Sequence, residues 1–257
     1  MIRRAVVWGA ALAALAFLAL PIAAIFARLS FAHLSASVVT DAVVVSLKTT
    51  FAAQALVLAF GTPAAWVLAT QRFRGRSLLV TLVELPIVLP PAVAGIGLLA
   101  AFGRMGLLHT GLPFTQAAVI VAVAFVSGPL YVRQAIAAFE GVDDTLLAAS
   151  RTLGAGPVKT FFRVALPLAG GGLGAGEALA FARGLGEFGA TIMFAGSLQG
   201  VTQTLPLAVY QEFDVDFHLA LALGGLLVLI SALLLISLKW LASSSTSVFR
   251  FAPSTSS

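Results

Sequence analysis

Six apolar runs, each long enough to cross a bilayer, constrain this 257-residue chain more than any other feature. They cover about 5–27, 43–69, 78–102, 116–139, 166–196 and 219–241, and Lys48 and Gln54 interrupt the second. A spanning helix needs about 20 apolar residues. Backbone amides inside hydrocarbon must be paired within the segment, so helices are the element to expect. The expected fold is an all-α integral membrane protein with six transmembrane helices in a single domain, 1–257. Only 10% of residues are charged, against roughly a quarter in soluble domains. Mean hydropathy is +1.05, so lipid must be the solvent for most of the chain.

The charges test this reading. With the N-terminus in the cytoplasm and six spans threaded, the cytoplasmic side receives Arg3, Arg4, Arg72, Arg74, Arg76, Arg133, Arg151, Lys159, Arg163, Lys239 and Arg250. The outer side receives Arg28, Lys48 and Arg104. That bias follows the positive-inside rule and places both termini in the cytoplasm. The net charge of +5 is then topological. The loop after the fifth span holds Glu212, Asp214 and Asp216 with no base, and no continuous basic face exists for nucleic acid. The chain has no cysteine, which excludes disulfides and thiol chemistry. Arg3 and Arg4 before an apolar run resemble a secretory signal, but the run is about twice an h-region in length and lacks a small-x-small site. A retained first span is expected.

One long polar segment separates the fourth and fifth runs, about 140–165. The stretch from Val142 to Pro167 reads VDDTLLAASRTLGAGPVKTFFRVALP. Asp143 or Asp144 can cap a helix carrying Leu146, Leu147, Ala149, Ser150 and Leu153. Gly154 closes it, and Gly156-Pro157 stops continuation. A second amphipathic stretch follows, with Phe161, Phe162 and Val164 against Lys159 and Arg163. Two readings fit: an interfacial helix pair that caps the bundle, or a loop gripped by another protein.

The spacing of this segment resembles the signature loop of ABC importer permeases. That pattern runs Glu-Ala-Ala, a Gly six residues after the Glu, nine residues, then Ile-x-Leu-Pro. Ala148, Ala149 and Ser150 stand in the first three positions, Gly154 in the glycine position and Val164 in the isoleucine position, while Leu166 and Pro167 match outright. The resemblance implies the type I ABC importer permease fold, with this loop docking an ATP-binding subunit through Ala148, Ala149, Ser150, Arg151, Leu153, Gly154, Leu166 and Pro167. The leading glutamate is absent, so docking would rest on shape, with Arg151, Lys159 and Arg163 as polar contacts. FRGRSLLVTLVELPIVLPPAVAGIGLL (73–99) is similar to molybdate, tungstate and sulfate permeases. ARGLGEFGATIMFAGSLQGVTQTLPLAVY (182–210) is most similar to the molybdate branch. The resemblance thus implies import of molybdate, or of tungstate or sulfate/thiosulfate, delivered by an extracytoplasmic oxyanion-binding protein. It implies a homodimer with two ATP-binding subunits, and no cofactor in this chain, with ATP-Mg in the partner.

Other motifs fit less well. Gly184 to Gly189 matches G-x-G-x-x-G, but an apolar span precedes it and no βαβ unit surrounds it. No G-x-x-x-x-G-K-[ST] occurs, so energy must enter from a partner. An intramembrane enzyme would need a catalytic set, and no H-E-x-x-H, G-x-S-x-G or aspartate pair lies within a span. His33, His109 and His218 are scattered without metal-ligand spacing. A partner-independent channel would not need the long loop.

Ionisable groups inside a membrane are costly and default to functional candidates. Glu84 falls in the third run and Glu177, Arg183 and Glu187 in the fifth. Arg183 and Glu187, four apart, share a helix face and can neutralise each other. They can hold the bundle together or meet a passing anion. Pro86, Pro90 and Pro91 should break the third span where it lines protein or a cavity. Pro90, Pro91, Arg183, Glu187, Gly189, Thr191, Thr202 and Thr204 are therefore the pathway or gate candidates, with Ser197 as a further hydroxyl. The glycine-rich fifth span serves either close packing or bending.

Overall fold

A computed structural model of the chain describes residues 2–28 and 36–247. His33 and Arg250 lie outside the described residues, as do the side chains of Arg3 and Lys239. The described residues are helical: α1 (Ile2–Ala27), α2 (Ala36–Thr70), α3 (Arg76–Val88), α4 (Pro91–Phe102), α5 (Gln116–Glu140), α6 (Asp144–Thr152) and α7 (Pro157–Thr160). A π-helical turn (Phe161–Ala165) then leads into α8 (Leu166–Leu185), followed by α9 (Gly189–Ala195), α10 (Leu205–Phe213) and α11 (Phe217–Ser247). Among the described residues, five helices are long and apolar enough to cross a membrane, and the bent pair α3–α4 makes a sixth candidate.

The core is a three-helix contact of α2, α5 and α8. Lipid is as apolar as leucine, so close packing must hold such helices together. Gly172 and Gly176 supply it on α8. A Cβ at Gly172 would stand 2.6 Å from the Ala138 Cβ, and one at Gly176 would stand 2.7 Å from the Gln134 Cβ. Buried polar ties add specificity: Gln54 Nε2 of α2 donates to Ser127 Oγ of α5 (3.0 Å) and to the Ala180 carbonyl of α8 (3.3 Å). Thr62 and Tyr131 share a 2.6 Å hydroxyl contact. At one end Trp66, Phe139 and Phe161 join α2, α5 and the π turn, with ring centroids 5.3–6.0 Å apart. By contrast α1 is exposed along its length, with Trp8 and Phe17 bare, and rests against α11.

The helices differ from the expected spans in two places. The run 78–102 is not one helix: α3 and α4 meet at 115°. Each residue before a proline is pushed out of the α region, and Leu89 (ψ 134°) and Pro90 (ψ 132°) are accordingly extended. The run 166–196 is displaced and broken. Its helix starts earlier, as Pro157–Leu185, and stops at Gly186. Pro167 lacks an N–H, yet it does not end the helix. The preceding turn widens instead, and the Leu166 N–H reaches the Phe161 carbonyl five residues back.

Candidate functional site

Two groups of residues stand apart from simple bundle packing: the α6–α7 hairpin at one end, and the break between α8 and α9.

The hairpin is defined by its caps. Asp143 sits before α6 and its side chain accepts the Thr145 N–H at 2.8 Å. That hydrogen bond holds the exposed Asp143 carboxyl below the ordinary carboxylate range. Asp144 in the first turn and Arg151 in the last complement the helix dipole. At the far end the Gly154 N–H bonds the Arg151 carbonyl (2.9 Å) and the Ala155 N–H bonds the Ser150 carbonyl (3.0 Å). This is a Schellman closure, and Gly154 takes the left-handed conformation it needs, at φ +80°. Leu147 buries itself in the core beside Phe139 and Ala165. Ser150 turns inward, donating to the Leu147 carbonyl and pairing with Thr160 at 3.0 Å, so it fastens α6 to α7. Ala148, Ala149 and Arg151 remain exposed. Leu153 is 86% exposed, Val158 71% and Phe162 58%, so three large apolar side chains of this segment are exposed along with the basic Arg151, Lys159 and Arg163. Exposed apolar patches with polar rims mark partner surfaces. Leu166 is half-buried and Pro167 exposed within the continuous helix, away from any loop of their own.

The break is built on Glu187. Its carboxylate is 2% exposed. Oε1 accepts the Ala190 N–H at 2.8 Å, capping the start of α9, and Oε2 lies 2.6 Å from Arg183 Nη1. The second contact is a charge pair without hydrogen-bond alignment. α9 then packs on α4. A Cβ at Gly189 would stand 2.7 Å from the Pro91 Cβ and 3.2 Å from the Ala92 nitrogen. One at Gly95 would stand 2.6 Å from the Ala190 carbonyl oxygen. The two broken segments therefore meet backbone to backbone, with Pro91 against Gly189. Pro90 forms the elbow beside them. The hydroxyls divide. Thr191 Oγ1 and Thr204 Oγ1 are buried with no hydrogen-bond partner among the described residues. Thr202 Oγ1 accepts the Leu198 N–H at 3.0 Å and Ser197 donates to Gln211, so both hold the 196–204 turn.

Residues 58–245 match the family described as "Binding-protein-dependent transport system inner membrane component". The chain belongs to this family. It is 44% identical over 239 residues to "Molybdenum transport system permease protein ModB" of Mycobacterium tuberculosis (strain ATCC 25618 / H37Rv), covering 88% of this chain and 90% of that protein. It is 44% identical over 178 residues to the protein of the same description in Escherichia coli (strain K12), covering 66% of this chain and 78% of that one. The fold is shared with solved transporter chains. A chain of the MetNI methionine ABC transporter in an inward-facing conformation gives a TM-score of 0.66 at 21% identity, covering 81% of this chain and 96% of that one. A chain of a bacterial alginate ABC transporter in complex with its alginate pentasaccharide-bound periplasmic protein gives 0.70 at 15% identity, covering 94% and 93%.

For a permease of this family, residue spacing brought several side chains to notice that the fold then joins. Arg183 and Glu187 form an ion pair, and Pro91 touches Gly189. The hairpin candidates lie on one element, although Ser150 faces its partner helix. Gln54 appeared in the sequence only as an interruption, yet it ties three helices. A buried amide in an apolar run was the signal that could have found it. Two ion pairs link neighbouring elements: Arg76 with Glu140, and Arg133 with Glu84 at 3.5 Å. Glu177 is half-buried with Oε2 unpartnered among the described residues.

Proposed function

We propose that this chain is the membrane subunit of an ATP-driven importer, that it carries molybdate inward across the cytoplasmic membrane, and that both its termini are cytoplasmic. The observation that carries this reading is a permease fold whose relatives at 44% identity are described as molybdenum transport permeases. The α6–α7 hairpin is the docking element for the ATP-binding subunit. Its exposed Leu153, Val158 and Phe162 supply the apolar contact, while Gly154 fixes where α6 stops. Force applied there reaches the bundle through Leu147 and the Trp66–Phe139–Phe161 rings.

Conduction needs weak binding along the route. An unpaired arginine would hold a dianion through strong charge-assisted hydrogen bonds. Pairing Arg183 with Glu187 removes that trap. Thr191 and Thr204 supply neutral hydroxyls nearby in sequence, and the α4–α9 contact is the part that must shift when the route opens. Two copies of the chain enclose the route, two ATP-binding subunits with ATP-Mg dock on the cytoplasmic face, and an oxyanion-binding protein loads the outer mouth. Tungstate and sulfate/thiosulfate import is the second reading, since the family resemblance embraces these anions. Uptake of radiolabelled molybdate into proteoliposomes, in competition with tungstate and sulfate, tests the choice. Molybdate uptake that an equal concentration of tungstate or sulfate displaces less than unlabelled molybdate does is the expected result. Uptake displaced equally by sulfate overturns the molybdate reading.

A further inference from the structure

A polar cavity of about 720 Å³ opens between α6 and the rest of the bundle. Its walls come from the end of α2, from Arg72 and Arg76 in the α2–α3 turn, from Glu140 at the end of α5, and from Asp144, Ala148 and Arg151 on one face of α6. The charges do not balance. Arg76 is committed to Glu140 and to the Leu68 carbonyl. The guanidiniums of Arg72 and Arg151 have no ion-pair or hydrogen-bond partner among the described residues. Asp144 also lines the cavity, so two unmatched guanidiniums face one unmatched carboxylate. Ala148 lies between Asp144 and Arg151 on that face, at the position where the resembled loop pattern carries glutamate. Its methyl adds no charge to the wall, so the two guanidiniums keep a net positive excess there.

We propose that this cavity receives an acidic side chain from the ATP-binding subunit, which bridges Arg72 and Arg151. The inference rests on the docking role assigned to α6. A carboxylate between two guanidiniums makes charge-assisted, bidentate hydrogen bonds, and these confer register as well as attraction. Arg72 belongs to the α2–α3 turn and Arg151 to the hairpin, so one acid binding both ties the hairpin to the bundle end. Docking would then depend on salt, as exposed charge pairs do.

The test measures binding of the ATP-binding subunit to the full chain in nanodiscs of phosphatidylcholine, with and without phosphatidylglycerol. Arg72→Gln and Arg151→Gln should each weaken binding about tenfold, the loss of a hydrogen bond to a charged group, and should flatten its salt dependence. Arg74→Gln, in the same turn but outside the cavity wall, is the control and should leave binding unchanged. Ala148→Glu supplies an internal competitor and should weaken binding while the chain remains monodisperse and helical. Binding unaffected by Arg72→Gln and Arg151→Gln overturns the proposal, as does tighter binding in Ala148→Glu. An arginine effect that appears only with phosphatidylglycerol assigns the cavity to an anionic lipid headgroup and overturns it too. A wild-type chain that binds no ATP-binding subunit under any condition contradicts the docking role itself, a separate failure.

Discussion

Replacing Glu187 should separate its two contributions, because one carboxylate oxygen caps α9 and the other faces Arg183. In Glu187→Ala both are lost. Loss of a cap costs about 0.5–2 kcal/mol. Breaking a buried ion pair costs about 3–5 kcal/mol because a charge is left behind. The Arg183 side chain is 35% exposed, so water or headgroups take over part of its solvation and roughly half of that penalty applies. The sum is about 2–4.5 kcal/mol. Glu187→Gln keeps an oxygen to accept the Ala190 N–H and loses only the charge, so its cost is about 1.5–2.5 kcal/mol. Thermal unfolding in one detergent, followed by circular dichroism, reads the order: wild type, then Gln, then Ala. Equal losses in Gln and Ala would show that the cap contributes nothing. A Gln variant as unstable as Ala but rescued by Arg183→Met would assign the whole effect to the charge pair.

Gly154→Ala forces a Cβ into the left-handed region at φ +80°, at a cost of about 1 kcal/mol, although the site is otherwise open. It should loosen the end of α6 and lower uptake without lowering helix content. Gly189→Val drives a branched side chain into Pro91 and the Ala92 nitrogen, so the α4–α9 contact must open. Uptake should fall to background while the hairpin still binds its partner, which a pull-down checks. The cap of α6 has a pH signature. The folded pKa of Asp143 is lowered, so its contribution is complete above the ordinary carboxylate range and fades only as pH falls through the lowered value. Protection of the Thr145 amide from hydrogen exchange, taken relative to the intrinsic rate at each pH, should hold at neutral pH and fall only in acid, whereas Asp143→Asn should show no such dependence.

The parts of the fold set by local chemistry could be read from the residues alone. Asp143, Gly154 and Gly156-Pro157 delimit α6 because caps and prolines act within a turn or two of themselves. The Arg183–Glu187 spacing announced its pair for the same reason. What escaped depends on partners distant in the chain. Pro90 and Pro91 forecast a break, but the 115° turn is fixed by α9 closing on Gly95 and Pro91. Pro167 looked like a helix start, yet the π turn absorbs its missing donor because Phe161 and Ala165 pack into the core. Thr202 and Thr204 looked alike in sequence. Only their surroundings show one holding a turn and the other buried without a partner.

The central claim is that energy enters this permease through the α6–α7 hairpin. Its most direct test is ATP-driven molybdate uptake into proteoliposomes containing the ATP-binding subunit and the oxyanion-binding protein. The comparison is between the wild-type chain and a Leu153→Arg, Val158→Arg variant, since both positions face outward and their replacement leaves the core intact. The variant should insert and fold normally, fail to retain the ATP-binding subunit, and show no uptake above background. Uptake at the wild-type rate by that variant, or ATP hydrolysis by the purified chain alone, would contradict the account.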